Sequence, residues 1–247
     1  MNGNPSKNPN LLSKRPPMAG FRIGILIMDS GHDLLPGNVQ HADSFGFPVV
    51  YEVVRGITLP ALMRGDPSIA PAIIESALAL QARGVSAVVG ACGSFANYQL
   101  EVAAALEVPA FMSIMLEVPL LLQALPSAQK LGIIFAKSSS FTQRVRDNCG
   151  INSIDRVVAI GMDEVPEFAP ILASLGAVDD PALRKAIVDL AQATIRVEPR
   201  VGAWLLQCSD LPPYAAALRA ATGLPVFDMI GLIQHVHAAI ARSEYAR

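Results

Sequence analysis

Cys92 and Cys208 are the residues whose type and setting point most directly to chemistry. Cys92 closes the apolar run Val85-Ser86-Ala87-Val88-Val89-Gly90-Ala91, and Cys208 closes Val201-Gly202-Ala203-Trp204-Leu205-Leu206-Gln207. At an offset of 116 residues the two segments match at Val85/Val201, Ala87/Ala203 and Cys92/Cys208. The match runs on through Tyr98/Tyr214, Ala104/Ala220, Ala105/Ala221, Pro109/Pro225 and Phe111/Phe227. Each of two similar strand-turn-helix units thus presents one thiol. Facing each other across a cleft, two thiols can take a proton from one face of a carbon and return one to the other. A free Cys titrates at roughly 8.5, close enough to neutrality for general acid–base work. A helix start just after the Cys would favour the thiolate and offer N–H groups to an anion.

The neighbouring polar residues divide by what they offer. Gly93 and Ser94, through main-chain N–H groups and the Ser94 hydroxyl, are candidates to hold a substrate carboxylate. Ser138, Ser139 and Ser140 offer the same from the second unit, and Ser30, Ser209 and Asp210 stand in matching loops. Asp29, an acceptor only, is assigned to a substrate ammonium or to orienting a thiol. Each has a structural reading beside the functional one. A Cys ending an apolar strand is often a small buried hydrophobe; Asp29-Ser30 can cap a turn; Ser138–Ser140 can cap the next helix. Cys149, before Gly150 and without a repeat partner, is read as structural. His235 and His237, two apart on a helix, face different ways and make poor joint metal ligands. His32 and His41 fall in a Gly- and Asp-containing loop after the first strand, at the mouth of the cleft or in solvent.

Apolar runs predict strands at Phe21–Met28, Pro48–Val54, Ser86–Gly90, Pro109–Met112, Lys130–Ala136, Arg156–Ile160, Val201–Leu206 and Leu224–Phe227. Helical patterns lie between them at Ile69–Ala82, Phe95–Leu106, Leu116–Ala124, Ser140–Cys149, Pro181–Val197, Pro212–Ala221 and Ile230–Arg242. Continuous apolar strands alternating with helices imply an α/β fold of mostly parallel sheets covered on both faces. A second internal match, Arg22-Ile23-Gly24-Ile25-Leu26-Ile27 on Lys130-Leu131-Gly132-Ile133-Ile134-Phe135 at offset 108, implies two pseudo-symmetric lobes. The expected division is a disordered tail over 1–17, a first lobe over 18–112 plus 226–247, and a second over 113–225. Ligands collect at the carboxyl ends of such strands, which places the active site in the cleft between lobes.

Composition agrees with a globular enzyme or binding protein. Apolar residues make up 52% of the 247 and charged ones 16%, with a net charge of −2. No long basic run points to nucleic acid or an anionic membrane, and no apolar stretch reaches the ~18 residues of a membrane span. Three cysteines do not make a disulfide framework, and with no apolar leader in the first 17 residues they predict a reducing cytoplasm. Neither a metal-ligand spacing nor a phosphate loop is present.

Taken together, ILIMDSG in the first strand, VVGACGSFANYQ and LLQCSDLPPYAAALRAATGLPVFD around the thiols, and LGIIFAKSSSFT at the second-lobe entry resemble the aspartate/glutamate/hydantoin racemase superfamily. The resemblance spans nearly the whole folded chain. It implies proton transfer by a cysteine pair, carried onto Cys92 and Cys208, with no pyridoxal phosphate and no metal, on a small carboxylate substrate. Glutamate racemases typically follow their cysteines with Asn-Thr and Thr-His, whereas Gly93-Ser94 and Ser209-Asp210 stand here. Asp210 would disfavour the Cys208 thiolate. The expected function is therefore a racemase or epimerase of an amino acid or derivative, Asp/Glu-like or hydantoin, but not glutamate racemase proper. Alternatives are a maleate-type cis-trans isomerase, a cysteine-dependent lyase of the same superfamily, or a small-carboxylate-binding protein without turnover. Arylmalonate decarboxylases keep only the second cysteine, so Cys92 argues against that activity. A homo-oligomer is left open.

Overall fold

The computed structural model describes residue 20 and residues 22–241; the tail expected over 1–17 lies outside the described residues. In chain order the elements are β1 (Ile23–Ile27), β2 (Gly31–His32), β3 (Val49–Val53), α1 (Leu59–Arg64), α2 (Ala70–Ala82), β4 (Ala87–Gly90), α3 (Gln99–Ala105), β5 (Ala110–Phe111) and α4 (Val118–Ala124). The second half carries β6 (Lys130–Phe135), α5 (Gln143–Asn148), β7 (Val157–Gly161), α6 (Ala169–Ala173), β8 (Leu175–Gly176), α7 (Asp180–Val197), β9 (Val201–Leu206), α8 (Ala215–Thr222), β10 (Val226–Phe227) and α9 (Met229–Ile240).

Two four-stranded parallel sheets result, ordered β3-β1-β4-β5 and β10-β9-β6-β7. Matching β1 with β6, β3 with β7, β4 with β9 and β5 with β10 makes the two orders identical, so the internal repeat is a repeat of topology. Alternation along the strands explains how the sheets pack. Ile23 and Ile25 of β1, Ala87 and Val89 of β4, Leu131 and Ile133 of β6, and Ala203 and Leu205 of β9 share one central core with α4 and α9. The opposite faces are covered separately. Leu26 and Val88 pack under Ile73, Ala77 and Leu80 of α2. Ile134, Trp204 and Leu206 pack under Leu183, Ile187 and Ala191 of α7. Burial on both faces is why these strands read as unbroken apolar runs.

Two details depart from the expected layout. β10 pairs with β9, so the strand just after the 225/226 division belongs to the second sheet. Phe227 of β10 and α9 behind it both pack against the central core. A third, two-stranded parallel sheet pairs β2 with β8 and ties the first-half loop to the second half through Gly31 N–H to Ser174 O (2.9 Å) and Asp33 N–H to Gly176 O (3.2 Å). α1 was not expected, although its start and stop signals stand in the sequence. Thr58 accepts from the Ala61 N–H, and Gly65 ends the helix in the left-handed region at φ 68°. Six residues are too few for periodicity to register. No helix among the described residues is long and apolar enough to cross a membrane.

Candidate active site

β4 ends at Gly90 and β9 at Leu206, so both thiols sit two residues past the carboxyl end of equivalent strands. The two loops meet. A Cβ at Gly93 would overlap the carbonyl oxygen and side-chain amide of Gln207, the residue just before Cys208. Only glycine lets the first thiol's loop lie this close to the second's. Cys92 is half-buried and Cys208 buried. Both line one cleft with about 510 Å³ of empty space, part of it open to solvent. One wall is apolar, made by Met28, Leu59, Met63, Ile171 and Leu172; the other is polar, with Ser30, His32, Gln40, Ser94, Ser209 and Asp210. α1 and α6, both short, supply most of the apolar wall.

The repeat is broken where it matters chemically. At the offset that matches the cysteines, Ser94 corresponds to Asp210. Burial pushes the Cys92 thiol up to about 11, countered by the Ser94 N–H and hydroxyl donating to the sulfur, while the charge of Asp210 adds to the rise. Burial also raises Cys208 well above the ordinary thiol value, and the negative charges of Asp210 and of a Cys92 thiolate add to the rise against the Asp210 N–H, which lowers it. Cys208 Sγ donates to Asp210 Oδ2 at 3.4 Å, a bond that exists only while the sulfur keeps its proton. Burial thus overrides the thiolate-favouring helix start expected from the sequence. The backbone N–H two residues on favours the thiolate at both sulfurs, so the two loops differ in the side chain: the Ser94 hydroxyl lowers its thiol's pKa and the Asp210 carboxylate raises its own.

Asp210 is itself held from the first half of the chain. His32 Nε2 donates to its Oδ1 at 2.8 Å, and Asn38 Nδ2 to the same atom at 2.6 Å. Asn38 in turn accepts from the Gln40 N–H (2.7 Å), and Gln40 Nε2 lies 3.5 Å from Ser30 Oγ. The segment between β1 and β3 therefore crosses to the second thiol and closes the polar wall.

The expected residues fall into two groups. Cys92, Ser94, Cys208, Ser209, Asp210 and Ser30 line the cleft, and Gly93 packs beneath it. Asp29 is exposed and is not among the lining residues. Ser138–Ser140 form a tight turn in which the Ser140 hydroxyl donates to Lys137 O at 2.6 Å. Ser139 and Ser140 line a neighbouring cavity with Arg64, Lys137 and Thr142. Those serines close a turn because β6 needs one, and α5 is capped by Thr142 instead. Cys149 is buried in the central core, pushed up to about 12 by burial. Sequence reasoning missed His32 as a buried residue, Asn38, Gln40 and the apolar wall. The one signal for the first three was the long segment without an expected element over 29–47.

A thiol held protonated by the fold has an observable consequence. Alkylation of Cys92 by iodoacetamide is expected to rise about tenfold per pH unit from neutrality and level off near 11, followed by mass spectrometry of its peptide. A plateau near pH 8 would contradict the burial argument. The shift also makes the fold alkali-sensitive. Its contribution is full below the unfolded thiol's pKa and is lost as pH rises through about 11.

No protein-family model matches the chain. Among curated proteins it is 32% identical over 233 residues to a dimethylsulfoniopropionate lyase of Durusdinium sp. clade D, covering 92% of this chain and 75% of that one. It is 31% identical over 240 residues to dimethylsulfoniopropionate lyase 5 of Emiliania huxleyi (strain CCMP1516), covering 93% of this chain and 47% of the relative. The chain thus spans about half the length of that relative. Among solved structures, allantoin racemase from Pseudomonas fluorescens matches with a TM-score of 0.59 at 16% identity, over 90% of this chain and 91% of that one. Unliganded arylmalonate decarboxylase matches with a TM-score of 0.53 at 18% identity, over 91% and 94%. Likeness at these identities shows the fold, a two-lobed α/β architecture.

Proposed function

We infer function from one premise: this chain belongs to the dimethylsulfoniopropionate lyase family, within the Asp/Glu/hydantoin racemase superfamily. The proposed activity is a lyase that removes the proton next to the carboxylate of a small 3-sulfoniopropionate and releases the sulfide. The observation that carries this reading is the exchange of Ser94 for Asp210 between otherwise equivalent thiol loops. Inversion needs two thiols that swap roles; elimination needs one base and a leaving group.

Cys92 is the base in this scheme. Its sulfur has the Ser94 donors, and the positive sulfur of the substrate would lower its pKa from about 11 on entering the cleft. The thiolate takes the C2 proton, the C2–H electron pair becomes the C2–C3 double bond, and the C3–S bond breaks toward sulfur. A neutral dialkyl sulfide leaves and needs no proton, so Cys208 can remain a thiol throughout. The products are the unsaturated carboxylate and the sulfide, and the Cys92 proton returns to solvent. The apolar wall of Met28, Leu59, Met63, Ile171 and Leu172 suits a methylated sulfur.

Incubation with dimethylsulfoniopropionate in D₂O is the test, with headspace gas chromatography for dimethyl sulfide and proton NMR for acrylate. Release of both in equal amounts is expected. Two thiols lining one cleft from duplicated units also suit racemisation, so aspartate, glutamate and allantoin enantiomers belong in the same experiment. Deuterium entering the α-position of one of these, without sulfide release from the sulfonio substrate, would replace the lyase reading with the racemase one.

A further inference from the structure

We propose that His32 is a substrate-binding residue, its Nδ1 receiving the carboxylate of the ligand that enters the cysteine cleft. The proposal rests on the reading that this cleft takes a small carboxylate. Three observations point to it. His32 lines the cleft with a side chain only 5% exposed. One ring nitrogen is committed, since Nε2 donates to Asp210 Oδ1. The other, Nδ1, is buried without a hydrogen-bond partner among the described residues. Buried polar atoms are nearly always paired, and an orphan in a cleft wall marks where a ligand atom belongs.

Charge narrows the ligand. The residues lining the cleft include Asp210 but no Lys or Arg. Among the described residues that line it, a carboxylate entering the cleft therefore meets one side chain able to carry positive charge, the imidazole. With Nε2 turned to Asp210 and Nδ1 turned away from it, the ring stands where it can bridge two carboxylates, one from the protein and one from the ligand. The pairing of β2 with β8 fixes the backbone on which this ring sits. It also explains why Asp210, costly beside a thiol, is kept company by donors from the other half of the chain.

Paired substitutions separate this role from an indirect one. In His32→Gln the amide reaches the Nε2 position, so the bond to Asp210 is kept and the Nδ1 contact is lost. In His32→Asn the amide reaches the Nδ1 position and the Asp210 bond is lost. The probe is propionate, which has no leaving group, titrated into the full chain by NMR or calorimetry, so binding is read without turnover. Cys208 alkylation is followed alongside. His32→Gln is expected to weaken propionate binding by roughly tenfold to a hundredfold with Cys208 alkylation unchanged, and His32→Asn to retain much of the affinity. Propionate binding to His32→Gln as tightly as to the unmodified chain overturns the proposal. So does a loss in His32→Gln that comes with altered Cys208 alkylation, because His32 then acts through Asp210. Absence of propionate binding to the unmodified chain overturns the proposal together with the carboxylate reading of the cleft. Sulfide release alongside propionate binding of equal strength in both variants sinks the His32 role alone.

Discussion

Serine at position 92 is expected to lower kcat for sulfide release by about 10³-fold or more with KM within a few-fold, whereas serine at position 208 costs about tenfold. The asymmetry follows from what stands two residues after each thiol. At Cys92 the Ser94 side chain is a hydroxyl that stabilises a sulfur anion, and an alcohol in place of the thiol cannot become a base at neutral pH. At Cys208 the partner is the Asp210 carboxylate, which accepts a proton-bearing donor. A serine hydroxyl donates to that carboxylate as well as a thiol does, so the polar wall stays in register. Initial rates of dimethyl sulfide release from the two variants, compared with Cys92→Ala, provide the measurement. Equal, large losses at both positions would mean that both sulfurs handle protons, and the one-base scheme would fall.

The same comparison shows what the sequence could and could not display. The paired thiols and the duplicated frame were legible because a repeat writes itself twice: offsets of 116 and 108 residues correspond to β4/β9 and β1/β6, and the strand orders repeat in full. Buried parallel strands were legible for a physical reason, their two covered faces leaving no polar positions. The serines after β6 close a turn beside the cavity next to the cleft, and a polar run at a strand's end has the same signature whether it binds a ligand or closes a turn. His32 and Asn38 were illegible in a stronger sense. Their partner, Asp210, lies 178 and 172 residues away, and nothing local marks either residue as buried. The apolar wall was hidden because α1 and α6 are too short to show a period. Asp210 itself stood in plain view at the offset of the repeat, yet its effect on the thiol depends on the 3.4 Å approach that only folding creates.

Alanine at position 93 is expected to cost about 3 kcal/mol of stability and most of the activity, although it adds a single methyl group. The methyl would overlap the Gln207 carbonyl and amide, and a carbonyl cannot swing aside as a side-chain tip can. Gln207 continues β9, its N–H donating to Ile134 O at 2.9 Å, so pushing it away disturbs the second sheet at its centre. The alternative, retreat of the Cys92 loop, would shift Phe95 and Ala96 of the same turn, both fully buried. Either movement separates the two thiol loops, which is why activity and stability fall together. Gly46→Ala is the control, because a Cβ there meets nothing within 4 Å and should change stability by no more than about 0.5 kcal/mol. Urea unfolding of the two variants, with sulfide release assayed on the folded fraction, gives both quantities. A Gly93→Ala protein as stable as Gly46→Ala would show that the loops have room to part, and the close approach would lose its role in setting the site.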